Sequence, residues 1–311
     1  MKKKLLLPIY LGLSLILIIT AVVMSLTLGV NLGVDFNGGK QVEIKLEENA
    51  NTDSYDKTIN EVLKNYNLSI DSSVTQDKYT DTYYVFKINT NEISAENANK
   101  IRSEIAAKLN LQVENVSEIM PISGNVTEKT LITISIAVGC IFLVFFFISW
   151  IRYGIMNGLA TLFTALHSMI ISFALVLITR LQINIPTVIA VLVSCLFTLI
   201  IYTFILESVR DNKVKHNNEL TDAQMFKIAN KKALPTTIII ASALLVFAIA
   251  SFFNPMSYIK LFAFALIECI AVSVYSANCV GFELGSSLST IKTEIDKQKL
   301  SKNVEPKKSK R

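Results

Sequence analysis

Gly33-Val34-Asp35-Phe36-Asn37-Gly38-Gly39 stands where the first apolar run of this 311-residue chain gives way to a long, mostly polar stretch. Upstream lies Leu5–Leu28. Downstream, Val30 to Lys129 separates that run from five more that follow one another closely: Leu131–Trp150, Ile155–Thr179, Ile185–Leu206, Thr236–Phe253 and Tyr258–Val280. A helix needs roughly 20 apolar residues to cross a hydrocarbon core about 30 Å thick. Six such runs exceed what a globular core requires. The chain therefore reads as an α-helical polytopic membrane protein with six transmembrane helices and an α+β domain inserted after the first.

The expected division is a first span at 1–29, an inserted domain at 30–128, a five-helix bundle at 129–284 with a loop at 207–234, and a basic tail at 285–311. Lys2, Lys3 and Lys4 before the first run suit a signal peptide or an anchor. The run is too long for a signal h-region and no small-x-small site follows, so it reads as an uncleaved anchor.

Lys and Arg in short flanking segments set orientation. One set of segments carries Lys2–Lys4, Arg152, Arg210, Lys213, Lys215, Lys227, Lys231, Lys232 and the Lys-rich end from Lys292 to Arg311, while the other short loops carry Arg180 and Lys260. Both termini are thus expected in the cytoplasm and residues 30–128 outside it. That stretch is acid-rich, with Glu43, Glu47, Glu48, Asp53, Asp56, Glu92, Glu96 and Glu118, so the net charge of +5 hides an asymmetry. The basic side suits anionic lipid rather than nucleic acid, and Arg152 is expected to snorkel to the headgroups.

The four cysteines, Cys140, Cys195, Cys269 and Cys279, all fall in apolar runs, which leaves the inserted domain without a disulfide framework. With His167 and His216 the only histidines, metal binding has no support and no cofactor is expected.

In the inserted domain Lys40–Leu46 alternates, with Val42, Ile44 and Leu46 on one face, and predicts a half-buried strand. Asp53–Tyr66 carries Ile59, Val62, Leu63 and Tyr66 on one helical stripe. Leu68–Val74 and Tyr83–Ile88 read as strands. Ser94–Leu109 reads as a helix opened by a Ser94 cap, and Val113–Ile122 as a closing strand. The order β-α-β-β-α-β predicts a ferredoxin-like, extracytoplasmic domain. It carries no nucleophile, base or metal cluster, so no catalytic residue is assigned.

The Gly33–Gly39 motif resembles the G-[IV]-D-F-T-G-G motif of the SecF family, accessory subunits of the bacterial Sec protein-export machinery. Ile151-Arg152-Tyr153 resembles the family's I-R-F after its second helix, and Leu166-His167 its L-H-D in the third. Asn184-Ile185-Pro186-Thr187-Val188 is similar to D-L-P-T-V before the fourth. Glu207-Ser208-Val209-Arg210-Asp211-Asn212 is similar to D-R-I-R-E-N after it, and Tyr275-Ser276 to Y-S-S in the sixth. These landmarks keep their order over nearly the whole chain. The resemblance implies a branch of the resistance-nodulation-division superfamily in the bacterial cytoplasmic membrane. It implies a SecD-like partner, a SecYEG-type channel and exported unfolded polypeptides as clients, with proton or sodium flow driving late export. Asp35, Phe36, Gly38 and Gly39 are its motif residues, and Glu207, Arg210, Asp211 and Asn212 follow the fourth helix. Paired glycines permit backbone angles closed to other residues. Asp35 is expected to bond nearby amides and fix the exit from the first helix.

The departures fall on the ion-carrying positions. The family's aspartate falls at Ser168, its Asn-Asp pair at Ile200-Ile201, and its first arginine at Ser208. Neither Ser nor Ile carries a proton at physiological pH, which suggests a reduced or absent ion route. His167 and Glu268 remain as ionisable residues within apolar runs. They read either as a relocated proton path or as structural groups, Glu268 protonated against a partner and His167 on a backbone carbonyl. Function readings are accordingly an auxiliary translocase subunit, a small-molecule or lipid transporter of the superfamily, or a non-coupled scaffold of the translocon. No enzyme motif is present.

Overall fold

The computed structural model describes residues 6–46, 54–78, 81–90, 93–124, 128–215, 219–253 and 257–304. Lys2–Lys4, Glu47, Glu48, Asp53, Glu92, His216 and the basic end at 305–311 lie outside the described residues.

The inserted unit contains α2 (Val34–Asn37), β1 (Gly39–Lys45), α3 (Tyr55–Lys64), β2 (Ile70–Lys78), β3 (Asp81–Ile88), α4 (Ala95–Lys108) and β4 (Met120–Ile122). The strands form one antiparallel sheet in the order β2-β3-β1-β4. Alternation sets the register: Val42 pairs with Phe86 and Ile44 with Tyr84. Their side chains meet Ile59, Val62 and Leu63 of α3 and Ile101, Ile105 and Ala106 of α4 in one buried core. Ser94 caps α4 as expected, accepting from Asn97 N at 3.2 Å.

The expected strand Val113–Ile122 is mostly absent. Val113–Asn115 turns as a 3-10 helix and only Met120–Ile122 joins β1. Between them Ser117 takes the place of a ladder partner, its Oγ accepting from Glu43 N at 2.9 Å, and Arg102 Nε donates to Val116 O. Side chains satisfy backbone groups that a continuous strand would have paired.

Among the described residues, six helical segments are long and apolar enough to cross a membrane. They begin with α1 (Leu6–Leu28), α5 (Glu128–Tyr153), α6 (Ile155–Ile178), α7 (Ile185–Lys215) and α8 (Asp222–Phe252). The sixth combines α9 (Ser257–Tyr275), a π-helical turn Ser276–Gly281 and α10 (Phe282–Val304). α6, α7 and α9 form the buried centre. α1 buries only Ser14 and Ala21, and leaves a broad apolar surface exposed.

Two expectations at the polar end of the bundle are corrected. The loop expected at 207–234 is largely helix, because α7 runs on to Lys215 and α8 starts at Asp222. A capping box between Thr221 and Gln224 opens α8, and Met225, Phe226, Ala229 and Ala233 form a buried stripe. The basic tail expected at 285–311 continues the sixth helix as α10 as far as Val304. Its Ser286 and Ser289 are buried, while positions 291–299 are exposed. Ser289 Oγ bonds Asn157 Oδ1 at 3.1 Å, and Thr293 Oγ1 bonds Asp222 Oδ2 at 2.7 Å. Helix–helix hydrogen bonds thus hold the start of a tail whose Lys-rich part, 291–299, stays exposed.

Candidate functional site

Polar side chains collect at three levels of the bundle. The innermost is a hydroxyl cluster between α6, α7 and α9. Ser168 Oγ lies 2.7 Å from Thr198 Oγ1 and 3.4 Å from Ser194 Oγ. Ser194 Oγ lies 2.9 Å from Ser172 Oγ and 2.8 Å from Ser273 Oγ, and Ser273 also donates to Cys269 O at 2.8 Å. All five hydroxyl residues are at most 1% exposed. Spacing builds the cluster: Ser168 with Ser172, Ser194 with Thr198 and Cys269 with Ser273 are each four apart, so each pair shares one helix face. Of these only Ser168 is singled out in the sequence. The paired i,i+4 hydroxyls were the signal for the rest. Hydroxyls donate and accept but do not change charge near neutral pH, so the cluster ties helices together without an ionic group. Of the two positions expected for the Asn-Asp pair, Ile200 is 44% exposed and Ile201 is buried among apolar side chains.

His167 faces the other side of α6. Its Nε2 lies 2.8 Å from Ser14 Oγ of α1, and its Nδ1 lies 3.0 Å from Ser276 Oγ in the π-helical turn. Tyr275 completes the group, its hydroxyl donating to Tyr10 O at 2.7 Å. The expected backbone carbonyl partner is corrected to two hydroxyls. Glu268 is held elsewhere: Thr179 Oγ1 donates to its Oε2 at 3.2 Å, and the side chain is partly exposed. Thr179 lies twelve positions beyond His167, about 18 Å along the helix at 1.5 Å per residue. The structure does not bring His167 and Glu268 together.

The second level is the junction of the α/β unit with the bundle. Asp35 is 3% exposed and reaches the start of α7. Its Oδ2 accepts from Ile185 N at 2.9 Å, which caps the start of α7, and Lys87 Nζ lies 3.8 Å from its Oδ1. A carboxylate there meets unpaired amides and the positive end of the helix dipole. Beside it stands Asp71 of β2, which the sequence did not single out. Asp71 Oδ2 accepts from Val34 N and from Asn184 Nδ2, each at 3.3 Å, and Oδ1 accepts from Gln182 Nε2. Burial pushes its carboxyl up to about 6, with Asp35 adding repulsion, against the lowering pull of the Val34 and Asn184 bonds and of Lys87. Gly38 has φ of +72°, and a Cβ on Gly39 would lie 2.3 Å from Ile88 O. Gly39 thus approaches the neighbouring strand, not another membrane helix. Phe36 packs against the bundle core.

The third level lies at the polar ends of α5 and α7. Arg152 reaches Glu207 with two nitrogens, Nε at 3.1 Å and the second terminal nitrogen at 2.8 Å, and Tyr153 donates to Glu207 at 2.7 Å. Arg152 therefore clamps two spans instead of standing alone at the headgroups. Arg210 lies 3.9 Å from Glu207, and Asp211 pairs with Lys232 at 3.8 Å. Asn212 is buried. Among the described residues no group of three or more His, Cys, Asp or Glu is placed to hold a metal.

Residues 102–288 match the family described as "Protein export membrane protein SecD/SecF, C-terminal". The chain is 23% identical over 277 residues to the protein translocase subunit SecF of Sebaldella termitidis, covering 86% of this chain and 85% of that protein. It is 26% identical over 275 residues to the protein translocase subunit SecDF of Brucella abortus biovar 1, covering 86% of this chain but 34% of that protein. Among solved structures, the super-membrane-facing form of SecDF superposes with a TM-score of 0.67 at 19% identity, over 94% of this chain and 38% of the other. SecDF from Thermus thermophilus superposes with a TM-score of 0.61 at 20% identity, over 91% and 37%. The chain thus spans over a third of those SecDF structures and shares their fold. With the family pattern matched over more than half of its length, this multi-pass membrane protein belongs to the SecD/SecF family of protein export membrane proteins.

Proposed function

We propose that the chain is a SecF-like auxiliary subunit of the Sec protein translocase, working with a SecD-like partner beside a SecYEG-type channel. The family match over residues 102–288 carries this reading. The α/β unit lies outside the cytoplasm, both termini lie inside, and the unit meets unfolded polypeptides late in their export. The broad apolar surface of α1, where Leu15, Ile16 and Leu26 are more than half exposed, is available to lipid or to the partner. Ion coupling through the family's usual positions is reduced or lost. Support for this comes from Ser168, whose buried neighbours are neutral hydroxyls. A small-molecule transporter is not favoured, because the relatives are translocase subunits.

The test is export into vesicles from cells that lack the chain. Late translocation of a secreted protein is expected to slow and to recover when the chain is restored. Unchanged export together with lost efflux of a small molecule supports the transporter instead.

A further inference from the structure

An open cleft of about 440 Å³ lies at the polar ends of α7 and α8. Asp211, Asn212 and Lys215 of α7 line it together with Ile228, Lys231 and Lys232 of α8. Three ammonium groups therefore meet one carboxylate there. Asp211 is engaged by Lys232 at 3.8 Å, which leaves the charge of Lys215 and Lys231 for an anion. Asn212 adds a neutral donor. It is 7% exposed, and its Nδ2 is buried without a hydrogen-bond partner. Burying an amide N–H with no acceptor is unfavourable. A carboxamide turns easily about its last torsion, so the N–H can be presented to the cleft that the side chain lines. Solvated lysines at a helix end need no ligand; the unpartnered donor beside them does.

The depth of the cleft selects among anions. Lys232 stands four positions before the apolar run Thr236–Phe253, about 6 Å along the helix at 1.5 Å per residue. That places the lysines at the level of the lipid headgroups. Ile239 and Val246 follow Lys232 at steps of seven residues, on the same side of α8. Both are more than half exposed, as is Ile238. Cations at the mouth and an apolar track leading away from it match a molecule with a phosphate at one end and acyl chains at the other.

We propose that this cleft binds the phosphate headgroup of an anionic phospholipid. Lys215, Lys231 and Lys232 supply the positive charge, Asn212 donates to a phosphate oxygen, and the acyl chains lie along Ile239 and Val246. Lysine suits phosphate as a point charge, and a basic pocket between membrane helices is a setting that such headgroups occupy. A free phosphate has the same oxygen chemistry but gains nothing from the apolar track. The inference rests on α7 and α8 crossing a membrane, and it stands whether or not the chain serves export.

Native mass spectrometry of the full chain in detergent, titrated with dioleoyl phosphatidylglycerol or with dioleoyl phosphatidylcholine, reads the site. Phosphatidylglycerol is expected to bind about fivefold more tightly. Lys215→Gln and Lys231→Gln alter exposed side chains, and each is expected to weaken phosphatidylglycerol about fivefold. Asn212→Leu is expected to weaken it severalfold without lowering the thermal midpoint of the lipid-free protein, because the orphan donor is gone. Lys297→Gln combined with Lys299→Gln changes charge on exposed positions of α10 outside the cleft and is expected to leave binding unchanged. Equal binding of the two lipids, lysine variants that bind as the unaltered protein does, or an equal loss in the α10 pair overturns the proposal. Displacement of phosphatidylglycerol by millimolar inorganic phosphate assigns the cleft to a soluble phosphate ligand and overturns the lipid reading.

Discussion

The imidazole Nε2 of His167 lies 2.8 Å from Ser14 Oγ, a bond between side chains 153 positions apart that fastens the first span to the third. Ser14 and Ala21 are the buried residues of α1, and Tyr275 and Arg180 also donate to its carbonyls at Tyr10 and Leu28. His167→Leu removes that bond and leaves Ser14 and Ser276 without a ring partner. The expected cost is about 1–3 kcal/mol, read as a lower thermal midpoint in detergent. His167→Gln, which still offers an N–H and a C=O, is expected to lose less. An unchanged midpoint in His167→Leu means that α1 is held by other contacts.

Ser168→Asp restores the carboxylate that the family places there. Its hydrogen-bonding neighbours among the described residues are Thr198 and Ser194, both neutral. A buried carboxylate without a counter-ion either stays protonated or destabilises its site by several kcal/mol. Ser168→Asp is therefore expected to accumulate poorly unless a partner supplies a positive group, while Ser168→Ala costs only about 1 kcal/mol. Normal accumulation of Ser168→Asp, with export newly dependent on an ion gradient, indicates that the old route is intact apart from this residue.

Glu268→Gln keeps the acceptor that Thr179 Oγ1 uses at 3.2 Å. Because Thr179, which holds Glu268, lies about 18 Å along α6 from His167, no relay between them is expected. Gradient-driven export in vesicles should be nearly unchanged. Glu268→Leu removes the acceptor and is expected to weaken assembly modestly. A clear loss of gradient dependence in Glu268→Gln, with normal accumulation, makes Glu268 a proton carrier.

Gly39→Val places a branched side chain against Ile88 O, where even a Cβ would sit at 2.3 Å. The sheet must part at β1 and β3, so accumulation is expected to fall severalfold. Asn37→Thr loses one exposed bond, from Nδ2 to Leu32 O at 3.2 Å, and is expected to accumulate nearly normally. Quantitative immunoblotting compares the two, and equal levels remove backbone shape as the reason for the glycine pair.

The orientation inferred from basic residues is checked at Glu114 and Glu118, both exposed on the α/β unit. With the native cysteines replaced by alanine, single cysteines there are expected to react with an impermeant maleimide on intact cells. Reaction only after lysis reverses the assigned topology.

Local periodicity determined which elements form. Six apolar runs gave six helices. The alternation of Val42 and Ile44 gave β1, and Ser94 gave the start of α4, because each signal lies within a few residues of the element it sets. The extended ends of α7 and α8 and the helical tail were hidden by charge. Their burial rests on a narrow stripe, Met225, Phe226, Ala229 and Ala233, among exposed lysines. The polar sites were legible only in fragments. Asp35 stood out through its motif, but its partner Ile185 is 150 positions away, and Asp71 has no motif around it. Ser168 stood out as a departure, while Ser172, Ser194, Thr198 and Ser273 did not. Spacing tells which residues share a face of a helix or strand. Which faces meet depends on how the helices rotate and pack, and that relation between distant segments belongs to the tertiary structure alone.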